Sequence, residues 1–298
     1  MPSVSALKER SPDWVRELAR QSTRAYGMAT ARWRGKPDYL IIGAKRGGTT
    51  SMYNYLRMHP GVLGMFPQPR ASKSSDYFFG GAVKGSRWYT SHFHTTRFLA
   101  RTADKLGYAP VTGEASPYYI WDPRIAALAY QANPDVRAIM LIRDPVERAF
   151  SHWQERVQNG VEPLDFAAAL AAEPARTSGE LERMLREPGY HSTAHDWYTY
   201  RARGIYQPQL ENWLSGFPAE QLLVLRSEDM YADVQGTVDR AVKFLGLPEF
   251  ELPTTKTFNA SRRPEMPGEP TQELASFYAS HNAELERFLG TALDWTPA

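Results

Sequence analysis

The sequence contains no cysteine. Disulfides, thiolate zinc sites, iron–sulfur clusters and thiol catalysis are therefore excluded, and any metal would need His or carboxylate ligands. Long apolar runs are also missing, since no stretch approaches 18 apolar residues, and Met1–Arg10 has neither an apolar core nor a cleavage pattern. The expectation is a soluble, untargeted, cytoplasmic protein without a transmembrane segment. Net charge is nearly absent as well: 35 Lys and Arg face 33 Asp and Glu, for +2. That balance is too even for bulk attraction to a phosphate backbone, so no nucleic-acid partner is expected.

What is present is ordinary globular composition, 42% hydrophobic and 12% aromatic over 298 residues, enough for one large α/β domain or two smaller ones. The charge is unevenly placed. Residues 1–36 carry eight basic side chains against three acidic ones, leaving the rest of the chain mildly acidic. Ser11-Pro12-Asp13 reads as a helix start, with a capping hydroxyl, a proline at the first helical position and an acid in the first turn. A helix to about Ala31 is expected, its apolar positions Val15, Leu18, Ala25, Tyr26 and Ala29 forming a face packed on the body. Residues 1–36 are thus read as a basic helical N-terminal extension, and 37–298 as a single domain.

Tyr39-Leu40-Ile41-Ile42 is a β-rich apolar run ending at Gly43, and Thr49–Met58 reads as a helix stopped by His59-Pro60-Gly61. The same strand–turn–helix unit recurs at Ala138–Ile142, where Asp144-Pro145 opens a helix. A third buried strand is expected at Leu222–Leu225, between helices over 206–214 and 237–245. Such alternation predicts a P-loop-like open parallel sheet flanked by helices, with the irregular helical stretch Glu155–Arg203 shaping the substrate site.

Between the first strand and its helix stands Gly43-Ala44-Lys45-Arg46-Gly47-Gly48-Thr49-Thr50-Ser51. Backbone amides of a glycine loop at a helix N-terminus cradle an anion, and the helix dipole adds about half a positive charge. A triphosphate loop would place Lys and then Ser or Thr directly after the last glycine, whereas here Thr49 follows Gly48 and the lysine lies inside the loop at Lys45. The second strand ends at Arg143, where a magnesium-binding acid would stand in a nucleoside triphosphatase. Arg143 either pairs with Asp144 or Glu147, or joins Ser151 as a second anion site. Two anion motifs at the carboxyl ends of neighbouring parallel strands describe one bis-phosphorylated ligand.

These residues resemble the sulfotransferases that use 3′-phosphoadenosine 5′-phosphosulfate (PAPS) and release 3′-phosphoadenosine 5′-phosphate (PAP), especially the heparan-sulfate-type and bacterial branch. Tyr39–Pro60 is similar to the 5′-phosphosulfate loop, Gly113–Tyr118 to the family's Glu-Lys-Ser/Thr-Pro segment and Ala138–Trp153 to its 3′-phosphate motif. Gly204-Ile205-Tyr206, Phe244–Leu247 and Leu289-Gly290 with Trp295 also fit. The resemblance implies that Lys45, Arg46, Gly47, Gly48, Thr49, Thr50 and Ser51 hold the phosphosulfate, that Arg143 and Ser151 hold the 3′-phosphate, and that Arg262 or Arg263 closes over the nucleotide. It implies in-line transfer without a metal to a hydroxyl, or less readily an amine, of a small-molecule, glycolipid or carbohydrate acceptor.

The family's Lys-Glu-x-His-Phe-Phe segment is replaced here by Lys73-Ser74-Ser75-Asp76-Tyr77-Phe78-Phe79. With Ser75 at the glutamate position, Asp76 is the first candidate base and Glu114 the second. His152, beside Ser151, and the aromatics Tyr190, Trp197, Tyr198, Tyr200 and Tyr206 are candidates for the acceptor side. Arg outnumbers Lys 27 to 8, a usage found in GC-rich bacteria. The alternatives are a nucleotide kinase or NTPase on a P-loop, and a non-catalytic PAP- or anion-binding protein.

Overall fold

All three strands expected from apolar runs are present in the computed structural model, which describes residues 13–67, 72–79, 83–255 and 266–295. They are β1 (Tyr39–Gly43), β4 (Arg137–Ile142) and β5 (Leu222–Arg226); two further strands, β2 (Val62–Leu63) and β3 (Val111–Ala115), complete a five-stranded sheet in the order β2-β3-β1-β4-β5. All pairings are parallel. Strand β1 occupies the centre, with β3 on one side and β4 on the other. The order therefore reverses there, and ligands of open α/β sheets bind outside the strand ends at such a point.

Alternate side chains of the central strands enter two different cores, as the two-residue period of a strand requires. Leu40, Ile42, Ala138, Met140 and Ile142 meet Tyr119, Leu210, Trp213 and Phe217 on one face. Tyr39, Ile41, Ile139, Leu141 and Leu225 meet Met52, Leu56, Val238 and Val242 on the other. Each such apolar side chain contributes about 1.5–3 kcal/mol on burial, so a sheet covered on both faces holds its strand ends in fixed register. A third core joins Val146, Ala149 and Phe150 to Phe166, Tyr200, Leu274 and Tyr278. It seats the helix Pro145–Gln158 against the C-terminal helix Gly268–Leu289.

Asp144 caps the helix Pro145–Gln158 by accepting from the amides of Val146 at 2.8 Å and Glu147 at 3.4 Å, as its sequence signature predicts. The helix after the glycine loop runs Thr49–Leu56, two residues shorter than expected. The N-terminal helix, Asp13–Ala29, docks differently from its apolar spacing. Leu18, Ala25 and Ala29 are exposed, and Tyr26, though largely exposed, packs its ring 6.1 Å from that of Phe66. The contact is made instead where Gly27 brings the backbone against Ser91 and where Arg24 Nη1 donates to Ser91 Oγ at 2.8 Å. A Cβ at Gly27 would lie 2.9 Å from the Ser91 carbonyl oxygen, so the close approach depends on glycine.

Candidate functional site

The two anion motifs meet above the ends of β1 and β4. Gly47 is pressed against the end of β4: a Cβ there would lie 2.5 Å from the Leu141 carbonyl oxygen and 3.0 Å from that of Ala44. Gly48 adopts φ +87°, a conformation that glycine takes without steric cost, and passes the chain into the helix. The first-turn amides of that helix have no intrahelical acceptor, which is the physical basis of an anion cradle. Ser227 Oγ clamps the arrangement, its single O–H shared between the Gly47 carbonyl at 2.7 Å and the Ile142 carbonyl at 2.9 Å.

The second motif is bonded directly to the first. Arg46, at φ +71°, donates from Nε to Ser151 Oγ at 3.0 Å, and Arg143 Nη1 reaches the Arg46 carbonyl at 3.4 Å. Arg143 is buried, its own carbonyl accepts from Tyr206 OH at 2.8 Å, and it pairs with Glu147 one turn along the helix. Arg143 thus makes the expected ion pair with Glu147, in the first turn of the helix, and stands at the junction of Arg46 and Ser151. Thr50 receives a bond from Lys73 Nζ at 2.6 Å, which ties residues 72–79 to the loop. Burial lowers the Lys73 pKa. Arg262 and Arg263 lie outside the described residues.

Lys45 sits in a nearly closed compartment. Its Nζ is 3.5 Å from Asp196 Oδ1 and 3.9 Å from Glu155 Oε2. Burial, followed by Arg203, brings its pKa down to about 8, while Asp196 and Glu155 hold it up. Burial opposes ionisation of Asp196, yet Arg203 and Lys45 outweigh it and keep that carboxyl below its ordinary value. Glu155, Asp196 and Arg203 were not singled out from the sequence, although all three lie in the stretch Glu155–Arg203 expected to shape the substrate site. Glu155 follows Ser151 by one helical turn, a spacing that places both on one face and marks it as a neighbour. Asp196 and Arg203 carry no local signal, because only the fold brings them to Lys45.

The two candidate bases occupy opposite environments. Asp76 is exposed, at φ +52°, with Oδ1 accepting from the hydroxyls of Ser74 and, at 3.3 Å, Ser116. Glu114, in the middle of β3, is fully buried, and burial raises its pKa. Its oxygens accept from the Ser75 amide at 2.6 Å, Tyr89 OH at 2.8 Å and Tyr119 OH at 3.1 Å. Those contacts make Glu114 a buried brace for residues 72–79, whereas Asp76, the first candidate base, is exposed.

The histidine and aromatic expectations resolve differently. His152 is fully buried edge-on to Tyr200, with ring centroids 5.0 Å apart, and is closed off from solvent. Burial and then Lys45, Arg203, Arg148 and Arg156 push its pKa far down. Tyr200 and Tyr206 are core residues. Phe79 instead stacks on His191 at 5.0 Å with planes 10° apart, beside Tyr118, whose OH lies 3.2 Å from His195 Nδ1. Among the described residues, no group of three His, Asp or Glu side chains is arranged to hold a metal. No described helix is long and apolar enough to cross a membrane.

A parallel sheet with a glycine loop after its central strand and an arginine-bearing helix after the neighbouring strand is the architecture of the sulfotransferase domain family, whose profile matches residues 36–295. The chain belongs to that family and is a sulfotransferase. It is similar to heparan sulfate glucosamine 3-O-sulfotransferase 6 of Mus musculus, 27% identical over 300 residues that cover 91% of this chain and 78% of that protein. It also resembles the membrane-associated sulfotransferase kil1 of Dictyostelium discoideum, at 24% identity over 87% of this chain and 66% of that one. Among solved structures, the sulfotransferase from Alicyclobacillus acidocaldarius matches with a TM-score of 0.63 and 29% identity, over 88% of this chain and 99% of that chain.

Proposed function

We propose that this sulfotransferase moves a sulfuryl group from PAPS to a hydroxyl of a carbohydrate acceptor, or of a glycolipid or small molecule bearing one. The observation that carries the reading is the junction of the two anion motifs, in which Arg46 bonds Ser151 and Arg143 reaches the Arg46 carbonyl. A ligand with phosphates at both its 3′ and 5′ positions matches two such motifs at adjacent strand ends. The loop fits the donor: Gly47 leaves no room for a side chain, and helix-terminal amides with a nearby lysine suit a phosphosulfate.

PAPS supplies the activated sulfuryl group, and the chain's residues do the rest. The loop amides, with Thr49, Thr50 and Ser51, hold the 5′ end, and Arg143 with Ser151 holds the 3′-phosphate. Lys45 places its ammonium against the charge that develops on the departing phosphate. Arg143 stands where a magnesium-binding acid would be needed, which supports a metal-free transfer. Asp76 takes the proton from the attacking hydroxyl as the new S–O bond forms and the old one breaks. Its exposure, its serine partners and its place on the segment that Lys73 ties to Thr50 support that role over Glu114.

Carbohydrate acceptors are supported by the heparan sulfate glucosamine sulfation for which the mouse relative is named and by the stacked Phe79 and His191 rings, a surface on which a sugar ring packs. The test is transfer of labelled sulfate from PAPS to a panel of oligosaccharides and phenolic or alcoholic small molecules, using the intact chain and Lys45→Ala. Transfer by the intact chain that is lost in the variant, with melting unchanged, supports the reading. Near-normal turnover in Lys45→Ala refutes it.

A further inference from the structure

We propose that Asp196 is a positioning residue that keeps Lys45 charged and aimed before the donor arrives. The inference rests on Lys45 being the donor's lysine. The geometry is a relay of two ion pairs. Arg203, completely buried, donates from Nη2 to the Asp196 carbonyl at 3.0 Å, to the His195 carbonyl at 3.2 Å and to Asp196 Oδ1 at 3.4 Å. The same Oδ1 lies 3.5 Å from Lys45 Nζ. Ser192 caps the short helix Thr193–Trp197 by accepting from the His195 amide at 3.0 Å, so Asp196 is fixed from two sides.

The groups facing Lys45 come from several elements. The helix Pro145–Gln158 contributes Glu155, Arg156 and His152; the turn Ala202–Gly204 contributes Arg203; and Asp196 completes the set. Among the described residues around Lys45, Asp196 and Glu155 supply the negative charge that opposes the two arginines. Without Asp196, a buried lysine beside Arg203 and Arg156 retains one carboxylate, at 3.9 Å. Lysine is charged below its pKa, and an opposite charge within about 4–6 Å raises that pKa by roughly 1–3 units. Removing Asp196 therefore moves the loss of charge toward lower pH. An anionic ligand supplies its own counter-charge once bound, so the effect belongs to capture, not to the chemical step.

The experiment is the affinity of the full chain for PAP by calorimetry from pH 6.5 to 9.5, with melting curves to establish folding. In the intact chain, affinity falls as pH rises through about 8, the Lys45 value in the free protein. In Asp196→Asn the fall begins about one pH unit or more earlier, while kcat at saturating donor changes far less than the KM for donor. Asp196→Glu restores the intact profile. Lys45→Arg removes the fall, because a guanidinium stays charged throughout.

An unmoved fall in folded Asp196→Asn overturns the proposal, as does a fall that survives in Lys45→Arg, which would assign it to Lys73 or another group. Should Asp196→Asn not fold, Asp196→Ser carries the same test: an acid-ward shift supports the proposal and an unmoved fall overturns it. Failure of the intact chain to bind PAP at pH 6.5 would instead refute the donor reading beneath it.

Discussion

Glu114 offers a sharp test because its geometry assigns a structural brace where sequence reasoning places a second candidate base. Its enclosed carboxylate satisfies one backbone amide and two tyrosine hydroxyls. Glu114→Ala leaves three buried donors without an acceptor. At about 1–3 kcal/mol for each unsatisfied group, the variant loses at least about 3 kcal/mol. For a chain of this size, with roughly 2 °C of melting temperature per kcal/mol, the fall is about 6 °C or more. Glu114→Gln keeps most of the network. Its carboxamide oxygen still accepts from the Ser75 amide, and its NH₂ donates to tyrosine hydroxyls, which accept as readily as they donate. Its cost is about 1–2 kcal/mol. Thermal melting gives the stability order, and sulfate transfer at a temperature where both proteins are folded gives turnover. The reasoning requires Glu114→Gln to retain activity to well within the roughly 10²–10⁴-fold that removing a general base costs. A Gln variant that melts like the intact chain yet loses a hundredfold or more in turnover would make Glu114 the base and refute the brace.

The pH dependence of stability carries the same residue's signature. Burial raises its folded pKa, so its contribution to stability is fully present below the unfolded value of about 4.3 and is lost as pH rises through the folded one. Denaturant titrations should show the intact chain losing stability relative to Glu114→Gln across that window, and a gain would contradict the assignment. Asp76→Asn should cut kcat by about 10²-fold or more at unchanged melting temperature; unaltered turnover removes it as the base. Gly47→Ala forces a Cβ against two carbonyl oxygens and should cost about 1–3 kcal/mol together with donor affinity, with full PAP binding as the refuting result. Arg143→Ala should weaken PAP by about 2 kcal/mol but leave 5′-AMP almost unaffected; equal losses for both nucleotides would show that Arg143 does not read the 3′-phosphate.

The central strands were legible because β1, β4 and β5 are continuous apolar runs closed by loops, the pattern of strands buried on both faces. Strand β3 was not, because Val-Thr-Gly-Glu-Ala reads as polar and its burial depends on partners elsewhere, notably Tyr89 and Tyr119 for Glu114. The C-terminal helix carries Leu274, Tyr278 and Leu285 at helical spacing, a signal present in the sequence but interrupted by His281 and Asn282. Of the site, the loop at 43–51 and the Arg143 motif were readable because each is contiguous and its function follows from local backbone geometry. The compartment around Lys45 was not, since Glu155, Asp196 and Arg203 reach it only through tertiary packing. The N-terminal helix shows the opposite failure: its apolar spacing was real, but docking through Gly27, Arg24 and Tyr26 leaves Leu18, Ala25 and Ala29 exposed.

The account rests on a site built for a nucleotide phosphorylated at both its 3′ and 5′ positions, and a melting experiment with PAP set against ATP and Mg²⁺ tests this most directly. A ligand at about 100 times its dissociation constant stabilises the folded chain by about 2.7 kcal/mol, or roughly 5 °C here. PAP is expected to give that shift and ATP with Mg²⁺ none; a shift with ATP and Mg²⁺ alone would contradict a site for a 3′,5′-bisphosphorylated nucleotide.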